Sequence, residues 1–145
     1  MTLLVRIQKR IKKEMILSNF IDDNFSITYN TNNIIIISKN YKFKLQEYPF
    51  KPPIFFINDI NYMEFIIPKN INLRYILTNY FYCLHCDTIM NKWSPTNILT
   101  DLIDEFKLNR LIYKKSYLIY ILENSINHKL DKYLLLDIIS YIYPD

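Results

Sequence analysis

Three observations predict an α+β domain. The chain opens on an apolar repeat at helical spacing, continues through four short strand-like runs separated by turns, and returns to helical spacing in its second half. The expected layout is an N-terminal helix, a four-stranded antiparallel meander, an irregular segment, and C-terminal helices.

Leu4, Ile7, Ile11 and Met15 recur every three or four residues with basic residues between them, which predicts an amphipathic helix over 2–18. Phe25, Ile27 and Tyr29 alternate with Ser26 and Thr28, a strand pattern, and Asn30-Thr31-Asn32-Asn33 is a turn. Ile34 to Ile37 is β-branched throughout and is read as a strand covered on both faces. Tyr41, Phe43 and Leu45 alternate with Lys42, Lys44 and Gln46, giving a third strand with one wet face. Pro49, Pro52 and Pro53 then forbid ladder pairing before the fourth strand, Ile54 to Ile57.

Residues 58–72 read as irregular, with Asn58-Asp59 and Pro68-Lys69-Asn70 as turn signals. Leu73 to Tyr82 fits either a short helix or an extended arm. Ser94-Pro95 predicts a helix start, with a capping hydroxyl and a proline at the first helical position. Its buried stripe is Ile98, Leu99, Leu102, Ile103 and Phe106. Leu118, Ile119, Leu122 and Ile126 suggest another helix, and Leu130 to Tyr143 a last one, ended by Pro144. Core packing is the simplest role for that last amphipathic helix.

At 145 residues the prior is one domain, and 50% hydrophobic residues with 13 tyrosines and 9 phenylalanines supply an ample core. No apolar run is long enough to cross a bilayer, and the N-terminus turns charged too early for a secretory signal. A soluble intracellular protein is expected, with its two cysteines reduced. The chain has no glycine and no alanine, while residues with AT-rich codons abound. That excludes every Gly-rich phosphate loop and leaves positive-φ turns to asparagine. The net charge of +4 gathers on the first helix, and the widely spread acidic residues argue against nucleic-acid binding.

Tyr48-Pro49-Phe50-Lys51-Pro52-Pro53, then Cys83-Leu84, then Trp93-Ser94-Pro95, in this order, resemble the ubiquitin-conjugating enzyme family. Arg6-Ile7-Gln8-Lys9 is similar to the start of that family's first helix. The resemblance covers roughly residues 3–106, the core of a single domain over 1–145, with 107–145 as a helical extension. It implies ubiquitin or a similar modifier, an activating enzyme and a ligase as partners. By the same resemblance Cys83 is the thioester acceptor, with Cys86 in reserve. Phe50, Ser94 and Pro95 would face the ligase, and Arg6, Lys9 and Arg10 the activating enzyme. No cofactor, metal or membrane is implied, and the location would be cytoplasmic or nuclear.

Some of the family's features are missing. The His-Pro-Asn before the cysteine is absent, and Ile67-Pro68-Lys69-Asn70-Ile71-Asn72 is only a loose echo of it. The Asp-Pro-rich segment after the Trp-Ser-Pro helix, with its acidic residue, is also absent. The chain thereby resembles the trimmed conjugating-enzyme-like proteins of large DNA viruses, in which a Cys-Leu-x-Cys cluster precedes the tryptophan.

Thioester transfer needs an accessible thiol and a donor for the developing oxyanion. Asn70, Asn72 and Asn79 are the nearby amides. The competing reading of Cys83 is a buried structural cysteine. Cys83-Leu84-His85-Cys86 is also half of a zinc knuckle, but His128 is too distant to complete it. A catalytically inactive variant of the same fold, binding ubiquitin or a partner, is the alternative function. A structural or packaging protein on the same scaffold is a third.

Overall fold

The computed structural model describes residues 3–18, 25–125 and 131–144, without the side chains of Leu3, Leu4 and 15–18. The expected contacts of Leu4, Met15, Ile126 and Leu130 therefore lie outside the described residues. Helix α1 (Leu3–Ser18) precedes five strands: β1 (Ser26–Tyr29), β2 (Ile34–Ile37), β3 (Tyr41–Leu45), β4 (Ile54–Ile57) and β5 (Ile60–Asn61). They pair antiparallel in sequence order. Helices α2 (Tyr62–Phe65), α3 (Ile71–Tyr80), α4 (Leu84–Asp87), α5 (Leu99–Ser125) and α6 (Lys132–Ile142) follow.

The α+β class and the meander hold, but the sheet has five strands, not four. The fifth arises from Asn58-Asp59, a tight hairpin that sets Ile57 opposite Ile60. Both turn residues have positive φ, 48° and 65°, as a two-residue primed turn requires. In a chain without glycine, short polar side chains take that conformation, here an aspartate beside the expected asparagine.

One face of the sheet is dry. The register aligns Ile36 with Phe43 and Phe43 with Phe55, and all three are buried. The Phe43 and Phe55 rings stack with centroids 4.7 Å apart. Ile7 and Ile11 of α1 join this core, as do Leu99, Leu102, Ile103 and Phe106 of α5. The expectation that β2 is covered on both faces is corrected: Ile34 and Ile36 are buried, but on the opposite face Ile35 is half-buried and Ile37 is 45% exposed.

Three helix assignments sharpen. The segment read as Leu73 to Tyr82 is a helix over Ile71–Tyr80, α3, with Phe81 and Tyr82 beyond its end; Asn70 caps it by accepting from the amides of Asn72 and Leu73. The two helices expected around Leu102 and Leu118 are one, α5, of 27 residues and about 40 Å. No proline or glycine interrupts it. Its C-terminal half forms a second small core, where Ile119 meets Ile76, Leu135 and Ile139. So α6 packs onto the extension, and α5 spans both cores.

Candidate active site and adjoining loops

The proline corner is built around a buried carboxylate. Tyr48 is 1% exposed, and its hydroxyl donates to Glu14 Oε1 at 2.6 Å and Oε2 at 2.9 Å. The Leu99 amide donates to the same carboxylate at 3.2 Å. Arg10 Nε stands 3.9 Å from Glu14, and its guanidinium lies 5.2 Å from the Tyr48 ring centroid. Burial raises the Glu14 pKa above the usual carboxylate range, against the lowering pull of Tyr48, Leu99 and Arg10. Burial first, then the bond to Glu14, raises the Tyr48 pKa, so its hydroxyl stays a donor. One side chain of α1 thus fastens both the corner and the start of α5.

The second loop leans on the first. Trp93 Nε1 donates at 2.8 Å to the carbonyl of Pro49, whose bond to Tyr48 is cis. Phe50, 67% exposed, stands beside this bond, and Pro95 is exposed while Ser94 is half-buried. Sequence had Ser94-Pro95 opening a helix. Instead the Ser94 hydroxyl caps a single turn, accepting from the Thr96 amide at 3.2 Å, and α5 begins only at Leu99. Asn97 and Asp101 intervene: Asn97 Oδ1 takes the Ser94 amide and Asp101 takes the Ile98 amide, both at 2.9 Å. The structure therefore brings Phe50, Ser94 and Pro95 to neighbouring loops.

Arg6 and Lys9 are exposed on α1. Arg10 is engaged inside the chain, donating to the Asn97 carbonyl at 2.6 Å besides its contacts with Glu14 and Tyr48.

The cysteine segment is a single helical turn. Cys83 caps α4 and Cys86 lies three residues on, so their Cα atoms are 5.3 Å apart and the two sulfurs are bonded as a disulfide. The expectation of two reduced thiols is corrected by this pairing: a turn of helix stacks residues i and i+3. The Cys86 amide donates to the Cys83 sulfur at 3.2 Å. Cys83 is half-buried and Cys86 exposed, so neither is the sealed structural cysteine of the competing reading. Cys83 borders an apolar cavity of about 220 Å³ whose walls include Ile67, Pro68, Leu77, Tyr82 and His85.

Both flanks of this turn are tied to α5. Glu105 accepts from the Thr88 hydroxyl and the Ile89 amide, each at 2.9 Å, and from the Tyr62 hydroxyl at 2.6 Å. Asn109, one turn further along α5, donates to the Tyr62 oxygen at 2.7 Å and accepts from Tyr82 at 3.0 Å. Burial, then Glu105, raises the Tyr62 pKa, and the same two causes raise that of Tyr82.

The three amides considered as oxyanion donors do not line the Cys83 cavity. Asn70 caps α3, and Asn79 Nδ2 donates to the Tyr75 carbonyl at 2.9 Å. Asn91 does reach the cysteine turn, donating to the His85 carbonyl at 2.8 Å. Asn91, Glu14, Glu105 and Asn109 were not singled out by sequence reasoning. The signal for Glu14, Glu105 and Asn109 is a polar residue on an otherwise apolar helical face; Asn91 had none. His85 is exposed, His128 lies outside the described residues, and no cluster among the described residues could hold a metal ion. None of their helices is long and apolar enough to cross a membrane.

No protein-family model, curated protein or solved structure matches the chain.

Proposed function

We propose that this chain is a ubiquitin-conjugating-enzyme-like protein that takes the carboxyl terminus of ubiquitin, or of a similar modifier, as a cysteine thioester. The thiolate attacks the activating enzyme's thioester, and that enzyme's thiolate leaves. A lysine amine or a ligase thiol then attacks the new thioester, and the cysteine thiolate leaves in turn. The reaction needs no cofactor. Cys83 is the acceptor and Cys86 the reserve: the cavity recommends the first, exposure the second.

One observation carries the reading. The indole of Trp93 holds the Phe50 corner against the Ser94-Pro95 loop, so two separate motifs share one edge of the fold. That edge would receive the ligase, and exposed Arg6 and Lys9 the activating enzyme. The site of action would be the cytoplasm or nucleus of a host cell. Incubating the reduced chain with activating enzyme, ubiquitin and ATP should yield an adduct that a thiol reductant removes. Its loss in Cys83→Ser with persistence in Cys86→Ser assigns the acceptor; the opposite pattern assigns Cys86.

The alternative is a binding module without transfer activity. It is favoured by the engagement of Asn70 in a helix cap and by the missing His-Pro-Asn and Asp-Pro elements. Titration with ubiquitin, activating enzyme and ligase domains tests it; saturable binding without any adduct would select it over catalysis.

A further inference from the structure

Cys83 and Cys86 are joined although the chain has no other cysteine, and the bond closes across one exposed turn and not across the core. Such a bond adds little to stability, because a loop this short restricts the unfolded chain only slightly. Its chemistry is the more informative property. The two sulfurs are unequal. Cys86 is exposed, whereas Cys83 is half-buried at the cavity edge and receives the Cys86 amide at 3.2 Å. A donor on one sulfur favours its thiolate and makes it the better leaving group. The turn is also held from both sides by Glu105 and Asn109, so the pair stays within bonding reach when reduced.

We propose that Cys83-Leu84-His85-Cys86 is a thiol–disulfide exchange site that accepts two electrons from a dithiol, entering at Cys86. A thiolate of the dithiol attacks the Cys86 sulfur, the Cys83–Cys86 bond breaks, and Cys83 leaves as the thiolate under the Cys86 amide. The dithiol's second thiolate then attacks its own sulfur in the mixed disulfide. Cys86 leaves as a thiolate, the dithiol is oxidised to its disulfide, and the chain is reduced. The two cysteine thiolates take up protons according to pH. In the reverse direction a disulfide oxidises the pair. One consequence rests on the proposed function: the oxidised form has no thiol to accept ubiquitin, so exchange would switch acyl transfer on and off.

The test uses the full chain and no ubiquitin. It is equilibrated in mixtures of reduced and oxidised glutathione, quenched with acid, alkylated with N-ethylmaleimide and weighed intact. The expected result is a monomer that passes from two alkylations to none through one transition. Two alkylations at every mixture, or oxidation that yields only glutathione adducts or linked dimers, would overturn the proposal. Entry at Cys86 is tested by treating the oxidised chain with reduced glutathione, quenching early with acid and locating the mixed disulfide by peptide mass mapping. Glutathione should be found on Cys86, and glutathione on Cys83 would overturn that assignment. Loss of the adduct with activating enzyme, while the alkylation transition persists, would instead count against the conjugating function alone.

Discussion

The proline corner at 48–53 and the cysteine turn at 83–87 are both short links between regular elements, yet they are secured in different ways. The corner is held from within. Tyr48 is buried, bonded to a buried carboxylate of α1, and roofed by the Trp93 indole. The cysteine turn is held at its ends, by Tyr82 on one side and Thr88 and Ile89 on the other, while Cys86 and His85 stand in solvent. A surface that recognises a partner gains from rigidity, because less ordering entropy is lost on binding. A reacting sulfur has to be reachable and to change partners. The two modes of support match the two tasks that the proposed function assigns to them.

The largest expected effect tests the supports of the cysteine turn. Glu105→Ala strips three donors of their acceptor, leaving the Thr88 and Tyr62 hydroxyls and the Ile89 amide to find others. A loss of about 3 kcal/mol is expected from equilibrium urea unfolding. Hydrogen exchange at 83–90 should accelerate while the amide of Leu99 stays protected. Equal acceleration at both places would erase the contrast between the two regions.

A smaller effect concerns the corner and depends on pH. The Glu14 pKa is raised in the folded chain, so over the range above its ordinary value the folded state binds more protons than the unfolded one. Stability from this group is therefore full at acid pH and declines as pH rises through the folded pKa. Glu14→Gln keeps an acceptor for Tyr48 and Leu99 but cannot ionise. Urea midpoints measured from acid to neutral pH should fall less steeply in the variant than in the parent. Parallel slopes would refute the assignment.

Trp93→Phe retains most of the ring packing and removes the donor to Pro49. It should cost about 1 kcal/mol of stability, weaken ligase-domain binding and spare thioester formation. The smallest stability effect belongs to Phe50→Ala, at an exposed ring, and should stay within about 0.5 kcal/mol. Its ligase binding should nevertheless fall, as read by calorimetric titration. A Phe50 variant that unfolds readily would mean the ring is structural and not a contact.

What the sequence made legible follows from how local each signal is. Strands β1 and β3 rest on alternation, β2 and β4 on short apolar runs bounded by turns, and the proline corner on ring geometry; all stand where expected. The fifth strand is two residues long, too short for alternation to register, although Asn58-Asp59 did mark its turn. Helix α5 starts only at Leu99: Ser94 caps a separate turn through the Thr96 amide, and Asp101 accepts the Ile98 amide at the helix start. Phe50, Ser94 and Pro95 were singled out through motifs, and the fold brings them to neighbouring loops. The residues that position the site were not. Glu14 meets Tyr48 across 34 positions and Glu105 meets Tyr62 across 43, so only the folded chain pairs them. The disulfide was missed because the inferred compartment argued for thiols, while a three-residue spacing on a helical turn permitted the bond.

The most direct measurement is the intact mass of the fully reduced chain after brief incubation with activating enzyme, ATP and ubiquitin. One added ubiquitin is expected, released by hydroxylamine or dithiothreitol at neutral pH and lost when both cysteines are replaced by serine. A folded, reduced chain whose mass never changes, or one that gains ubiquitin only on lysine, would contradict the proposed function.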